Sequence, residues 1–303
     1  LDNRLDSWYI YGMSKIIVIG ASGFIGSHIT AHLKKRGSQV IAAVRNVAHF
    51  NRRFPDIPAF ECDFNTIQTP FFWDDHLNGI DVVINTAGVL HDSYMNNIDN
   101  VHFNGPAHLL KASIKAQVKR FIHISALGID TQTSIAYAST KNKFDHLLMQ
   151  QTDIDWVILK PSLVYGEEGS KGTALFKQLA SLPYFIPLIG DGDQQFQPVY
   201  IDDLVAIIAF CAFYKNQIKK CFDIVGPDSM KMKEILTILR QRMGKPKAKF
   251  LHIPVSLIAA AAKCADFFCK GSLISTSYKM MQYPNIGQYK PIVSFTGITP
   301  RKF

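Results

Sequence analysis

A tyrosine and a lysine four residues apart on a helix lie one turn apart on the same face. The chain contains two such pairs, Tyr137 and Lys141 in YASTK, and Tyr11 and Lys15 in YGMSK. A phenol beside an ammonium group can pass a proton to or from a carbonyl or alcohol oxygen, because neighbouring positive charge favours the phenolate. Ser125 ends an apolar strand pattern twelve positions before Tyr137. There it can face the same crevice and hydrogen-bond the reacting oxygen. Tyr11 precedes the first strand pattern and has no helix to sit on, so the bare spacing at YGMSK is a coincidence. Ser125, Tyr137 and Lys141 are therefore the catalytic candidates.

These groups need a scaffold, and the sequence supplies one in alternation. KIIVIG (15–20) is a short apolar run ending in glycine, and FIGSHITAHLKKRG (24–37) has helical periodicity closed by Gly37. Further strands are expected at 39–45, 59–63, 80–88, 118–125, 155–162 and 221–226, with helices near 99–117, 136–151 and 202–215. Strands separated by helices imply parallel β-α-β units, hence an α/β fold with a doubly wound parallel sheet, a Rossmann fold. After Pro161 the chain becomes rich in Gly and Pro, and beyond 230 it is helical with polar breaks. This predicts residues 13–160 and 196–226 as the dinucleotide-binding domain. Residues 161–195 and 227–303 would form a smaller, discontinuous C-terminal lobe for substrate or partner, over the carboxyl ends of the strands. Residues 1–12 read as an extension outside the fold.

The first strand–helix junction, GASGFIG, spaces Gly20, Gly23 and Gly26 as G-x-x-G-x-x-G. A turn without side chains lets a pyrophosphate reach the backbone, and the helix N-terminus supplies N–H donors and partial positive charge. Ser22, Phe24 and Ile25 complete this candidate loop. At the end of the second strand, where NAD binders place an acid for the ribose 2′-hydroxyl, the chain has Arg45, with Arg52 and Arg53 nearby. A guanidinium can pair with a 2′-phosphate, so NADP(H) is preferred and NAD(H) is the alternative. The competing reading is that Arg45 stacks on adenine or faces solvent. Asp63 could accept from the adenine amino group or cap its strand. Ala87 and Gly88 could pack against the adenosine ribose or simply form a tight turn.

Composition narrows the partners. Net charge is +9, but the Lys and Arg residues are scattered, with short groups at Lys34-Lys35-Arg36 and Lys245–Lys249. No nucleic-acid module is recognisable, so nucleic acid is not expected. The five cysteines are odd in number with no CxxC pair, pointing to reduced thiols of a cytoplasmic protein and to no metal. IPVSLIAAAAKCADFF (253–268) is interrupted by Lys263 and Asp266 and reads as an amphipathic core helix rather than a membrane-surface one. PYFIPLI (183–189) reads as core rather than as the floor of a lipid-like or quinone pocket. Asp202-Asp203 before LVAIIAF reads as a helix N-cap.

In order, GASGFIG, NTAG, HISALG, YASTK and KPSLVYG resemble the short-chain dehydrogenase/reductase superfamily, in its extended or atypical branch, over roughly 13–226. The resemblance implies that Lys141 binds the nicotinamide ribose and that Tyr137 serves as acid or base. It also implies that Pro161, Ser162, Leu163 and Val164 line the nicotinamide pocket. HISALGID, KPSLVYGEEG and PLIGDGDQQFQPVYIDDLVAII are similar to bacterial relatives of the nucleotide-binding accessory subunit of respiratory complex I. That likeness implies NADPH, a membrane-associated respiratory complex as a partner, and a peripheral position at the cytoplasmic face of the inner membrane. The superfamily often has Asn at the position aligned with His102, and Arg where this chain has Lys160. The short stretch from Ser125 to Tyr137 lacks the insertion that shapes the sugar site of sugar-nucleotide epimerases, which counts against that activity.

Two functions lead, with an NAD-dependent sugar-nucleotide epimerase or dehydratase as the less expected third. One is an NADP(H)-dependent oxidoreductase acting on a carbonyl, an alcohol or a quinone-related compound; the substrate is an unidentified small molecule. The other is an NADPH-binding accessory or assembly protein of a respiratory or quinone-synthesis complex. The complete Ser-Tyr-Lys set favours the enzyme.

Overall fold

The computed structural model describes residues 14–67, 69–93, 96–166, 171–258, 279–280 and 283–303. Tyr11, the expected extension at 1–12, Cys264, Cys269 and most of 253–268 lie outside them. The first half alternates as expected: β1 (Lys15–Ile19), α1 (Phe24–Lys35), β2 (Gln39–Val44), α2 (Val47–Arg53), β3 (Ala59–Glu61) and β4 (Val82–Asn85). A π-helical turn (Asn100–Asn104) then runs into α3 (Gly105–Lys115), followed by β5 (Arg120–Ile124), α4 (Ala136–Met149) and β6 (Asp155–Pro161). The second half contains β7 (Val164–Tyr165), α5 (Lys171–Ser181), β8 (Phe185–Ile189), β9 (Gln195–Phe196), β10 (Val199–Tyr200) and α6 (Ile201–Phe213). It continues with β11 (Lys220–Ile224), β12 (Met230–Lys231), α7 (Met232–Arg242), β13 (Lys249–Ile253) and α8 (Lys290–Thr296).

Seven strands form one sheet in the order β11-β6-β5-β4-β1-β2-β3, and every pair is parallel. The order reverses between β1 and β4, where open sheets of this kind leave a crevice at the strand carboxyl ends. Period-two alternation sends the two sides of each strand to different layers. Ile16 and Val18 pack with Ile29 and Leu33 of α1 and Leu204 and Ile208 of α6. Ile17 and Ile19 pack with Leu109 of α3, Phe144 of α4 and Trp73. Both sheet faces are covered, so the strands read as continuous apolar runs.

Two buried arginines act as clasps. Arg120 donates to the Asp155 carboxylate (2.6 Å) and to the carbonyls of Cys211 (2.6 Å), Tyr214 (2.7 Å) and Asn216 (2.7 Å). It thereby ties β5 and β6 to the end of α6. Arg240 donates to the carbonyls of Ala180, Leu182, Pro183 and Pro246, holding α7 against the end of α5.

Two sequence expectations are corrected. PYFIPLI alternates instead of lying wholly in the core: Ile186 and Leu188 are buried, whereas Tyr184 and Phe185 are exposed. Asp203 does not cap α6. Its carboxylate accepts from the backbone N–H (2.8 Å) and the guanidinium (2.9 Å) of Arg301, pinning the C-terminal segment beside the helix. Asp202 is 3.8 Å from the same guanidinium.

Candidate active site

The glycine loop follows β1, and sterics account for Gly20 and Gly26. Gly20 has φ of +75°, a left-handed conformation that a side chain strains. A Cβ on Gly26 would lie 2.1 Å from the Gly20 carbonyl oxygen, so nothing larger than glycine fits. The amide of Gly23 donates to that same carbonyl (2.8 Å), closing the turn. Thr86, just past β4, donates its hydroxyl to the carbonyl of Ile19 (2.7 Å) and ties the neighbouring strand to the loop. Sequence reasoning passed over Thr86, although it lies within NTAG. Gly23 is the N-cap of α1 and makes no side-chain capping bond; the first turn has no acidic residue. The first amides of a twelve-residue helix therefore face an exposed mouth at Ser22 and Gly23, with Phe24 and Ile25 half-buried behind them. These groups fit a dinucleotide pyrophosphate.

Around this loop the other cofactor candidates take different positions. Arg45 is exposed at the end of β2 and donates to the Asn96 side-chain oxygen (2.9 Å). Its neighbour Asn46 caps α2 by accepting from the His49 amide (2.8 Å). Asp63 accepts from the Asn65 backbone (2.9 Å) and side chain (2.7 Å) through one oxygen, as a turn-former does. Ala87 and Gly88 follow β4 opposite Gly20, and the Ala87 amide donates to Asn85 (3.1 Å).

Tyr137 and Lys141 come together on α4 beside Gly88. The ammonium lies 5.9 Å from the Tyr137 ring centroid and donates to the carbonyl of Ile124 (3.0 Å). The phenol hydroxyl has no hydrogen-bond partner among the described residues. Burial lowers Lys141 to about 8, against the pull of the Asp145 charge. Burial also raises the Tyr137 phenol to about 12, and Asp145 adds to that rise. The lowering of Tyr137 expected from Lys141 is thus outweighed in the protein's own field, and the phenol is protonated at neutral pH.

His102 completes the group from the π-helical turn, a distortion that often marks functional positions. Its ring meets that of Tyr137 edge-on at 5.3 Å. The Val89 amide can only donate, so Nε2 accepts it (3.0 Å), and Nδ1 carries the proton toward the Thr140 hydroxyl (3.0 Å). Burial, with the Lys141 charge next, holds His102 well below the ordinary imidazole range. A neutral imidazole with both nitrogens engaged positions the helix rather than shuttling protons.

Ser125 has a partner that the sequence did not suggest. Its hydroxyl donates to the Asp145 carboxylate (2.7 Å), and both residues are buried. Asp145 lies one turn beyond Lys141, and its other oxygen is 3.6 Å from Nε2 of the buried His123. The Ala87 amide fixes the Asn85 oxygen, so the Asn85 amide group donates to Nδ1 of His123 (3.2 Å), and Nε2 carries the proton. Lys160 bridges outward, donating to Asp130 (2.8 Å) and lying 3.9 Å from Asp145. This polar network under the sheet end was missed because its members are scattered along the chain. Burial raises Asp145 to about 6, with the Ser125 bond and the charges of Lys160 and Lys141 opposing that rise.

The loop after β6 turns partly away from the crevice. Ser162 donates its hydroxyl to the Gln197 carbonyl, Leu163 packs on the apolar cluster that holds Phe176 and Leu236, and Val164 pairs with Val199 in β7–β10. Pro161 is buried at the end of β6. The Ser162 hydroxyl is therefore used in joining the two parts of the chain.

The arrangement can be set beside known proteins. The family model described as the NAD dependent epimerase/dehydratase family matches residues 16–224. The chain is 22% identical over 252 residues to the mitochondrial NADH-ubiquinone oxidoreductase 40 kDa subunit of Neurospora crassa, covering 81% of this chain and 64% of that one. It is 23% identical to the chloroplastic divinyl chlorophyllide a 8-vinyl-reductase of Arabidopsis thaliana, covering 94% and 70%. The chain spans less than two thirds of the length of the NADH-ubiquinone oxidoreductase relatives it matches. Among solved structures, MoeE5 in complex with UDP-glucuronic acid and NAD superposes with a TM-score of 0.72 at 17% identity, covering 96% and 95%. Sheet order, glycine loop and family match agree: the chain belongs to the NAD dependent epimerase/dehydratase family, within the extended short-chain dehydrogenase/reductase superfamily.

Proposed function

We propose that the chain is an NADP(H)-dependent oxidoreductase acting on a carbonyl, an alcohol or a quinone-related compound. The observation that carries this reading is the cluster at Gly88, where Tyr137 presents a hydroxyl with no hydrogen-bond partner among the described residues beside a buried Lys141. A nicotinamide dinucleotide, when bound, would supply or take the hydride. The Gly20–Gly26 turn and the α1 amides would hold its pyrophosphate, Arg45 would pair with a 2′-phosphate, and Lys141 would hold the ribose hydroxyls. Tyr137, protonated at neutral pH, gives its proton to the substrate oxygen in the reducing direction. His102 fixes α4 against the loop after β4, so that this hydroxyl stays aimed.

One observation favours a second reading. With the Ser125 proton given to Asp145, Tyr137 is left as the donor to the substrate oxygen among the catalytic candidates, which suits a held nucleotide better than fast turnover. Together with the similarity to NADH-ubiquinone oxidoreductase subunits, this supports an NADPH-binding accessory protein of a membrane-associated respiratory complex. The test is the release rate of the bound nucleotide from purified protein, with its identity read by mass. Enzymes turn over at about 1–10³ per second, so a cosubstrate must exchange on that scale. Release over many minutes would overturn the reading as a dissociable cosubstrate, in favour of an accessory protein or a nucleotide recycled in place. NAD(H) in place of NADP(H) would overturn the role of Arg45 and favour sugar-nucleotide chemistry.

A further inference from the structure

The smaller lobe carries an outward face that the dinucleotide crevice does not use. β8 and β13 pair in parallel, with Phe185 beside Lys249, Pro187 beside Leu251 and Ile189 beside Ile253. Strand alternation sends Ile186 and Leu188 inward onto Ile235 and Leu236 of α7. The alternate positions point away, leaving Phe185 55% and Leu251 54% exposed. Tyr184 (76%) extends this strip at one end, and Val255 (46%), seated against the Gly190 turn, extends it at the other. Contiguous apolar surface of this kind is uncommon on a protein that meets only water.

Lysines crowd one end of the strip, at Tyr184 and Phe185, while the exposed Asp191 lies at the other end, 3.9 Å from His252. Lys249 lies on the outward face beside Phe185, and Lys245 and Lys247 approach it along an exposed segment. None of the three has an ion-pair partner among the described residues. The nearby Asp193 is already held by Lys231 (3.0 Å) and Lys233 (2.9 Å). Tyr184 and Phe185, 76% and 55% exposed, are the two most exposed apolar side chains of the strip. A shaped protein partner would need matching hollows, whereas a bilayer interface accepts exposed aromatic rings at headgroup depth and gives lysines anionic partners.

We propose that this ribbon face, with its three lysines, docks the protein on an anionic phospholipid bilayer. The proposal does not rest on the reading of the dinucleotide crevice. The test is cosedimentation of the full chain with vesicles of phosphatidylcholine alone and with about one third phosphatidylglycerol, at about 0.1 M salt. The expected result is partitioning to the anionic vesicles only, weakened by added salt. The combined variant Lys245→Gln/Lys247→Gln/Lys249→Gln should lose roughly a hundredfold in partitioning, at about a factor of five per lysine. Phe185→Ser/Leu251→Ser should lose at least about tenfold, because two exposed apolar side chains no longer insert. Circular dichroism of both variants should match the parent, since the altered side chains are on the surface. Absence of binding to anionic vesicles, or equal binding by parent and variants, would overturn the proposal. So would a dimer in sedimentation velocity that Phe185→Ser/Leu251→Ser dissociates while vesicle binding is absent, because the face would then meet a second copy.

Discussion

Replacing Asp145 by Asn tests the buried network at its centre. Asp145 is fully buried and is raised from 3.8 to about 6 chiefly by loss of hydration. In the unfolded chain its carboxyl ionises near the ordinary value, so between about pH 4 and pH 6 the folded state holds a proton that the unfolded state has released. Stability from this group therefore falls as pH rises through that window and levels off above it. The gap corresponds to on the order of 3 kcal/mol in full, of which about 1–2 kcal/mol falls between pH 5 and pH 8. An Asn side chain can still accept from Ser125 and carries no charge at any pH. The assay is urea denaturation of parent and Asp145→Asn at about pH 5, 6, 7 and 8. The stability of the variant relative to the parent should rise by about 1–2 kcal/mol from the lowest to the highest pH. The lowered values of His102 and His123 act in the opposite direction, but they are present in both proteins and largely cancel in the difference. A flat difference, or one that falls with pH, would refute the reasoning. It would mean that Lys160 and Lys141 hold Asp145 as an ordinary anion.

Other expectations follow from individual side chains. Tyr137→Phe should leave nucleotide affinity within about twofold and, once a substrate is in hand, reduce turnover by about 10²–10⁴, as loss of an acid does. Gly26→Ala places a carbon 2.1 Å from the Gly20 carbonyl, so the loop must open. Nucleotide affinity, read by fluorescence titration, should fall more than about tenfold, with stability lowered by about 1–3 kcal/mol. Arg45→Glu should reverse the preference between NADP(H) and NAD(H), read as the ratio of their dissociation constants, through repulsion of the 2′-phosphate. Arg120→Met removes four donors and leaves Asp155 without its guanidinium partner, so urea denaturation should show a loss of about 3–5 kcal/mol.

Elements and nucleotide loop were legible in the sequence because their causes are local. Apolar runs closed by glycine define β1 and the strands beside it. Helical periodicity defines α1, α4 and α6, and Gly20 and Gly26 report directly on backbone that a side chain strains or blocks. Tyr137 and Lys141 were readable for the same reason, since one helical turn brings them together whatever surrounds them. What the tertiary structure decided depends on groups distant in sequence. Ser125 donates to Asp145, twenty positions on, because a buried carboxylate needs a donor. His102 is locked neutral by Val89 and Thr140, which only packing against α4 brings within reach. Asp203 is claimed by Arg301, 98 positions away, instead of by its own helix. Phe185 and Leu251 are exposed because β8 and β13 have a packed layer on one face only, which hydropathy along a single strand cannot report. Local periodicity settles where the chain bends and which faces are apolar; the partner each polar group finds is settled by folding, since burial makes an unsatisfied group costly.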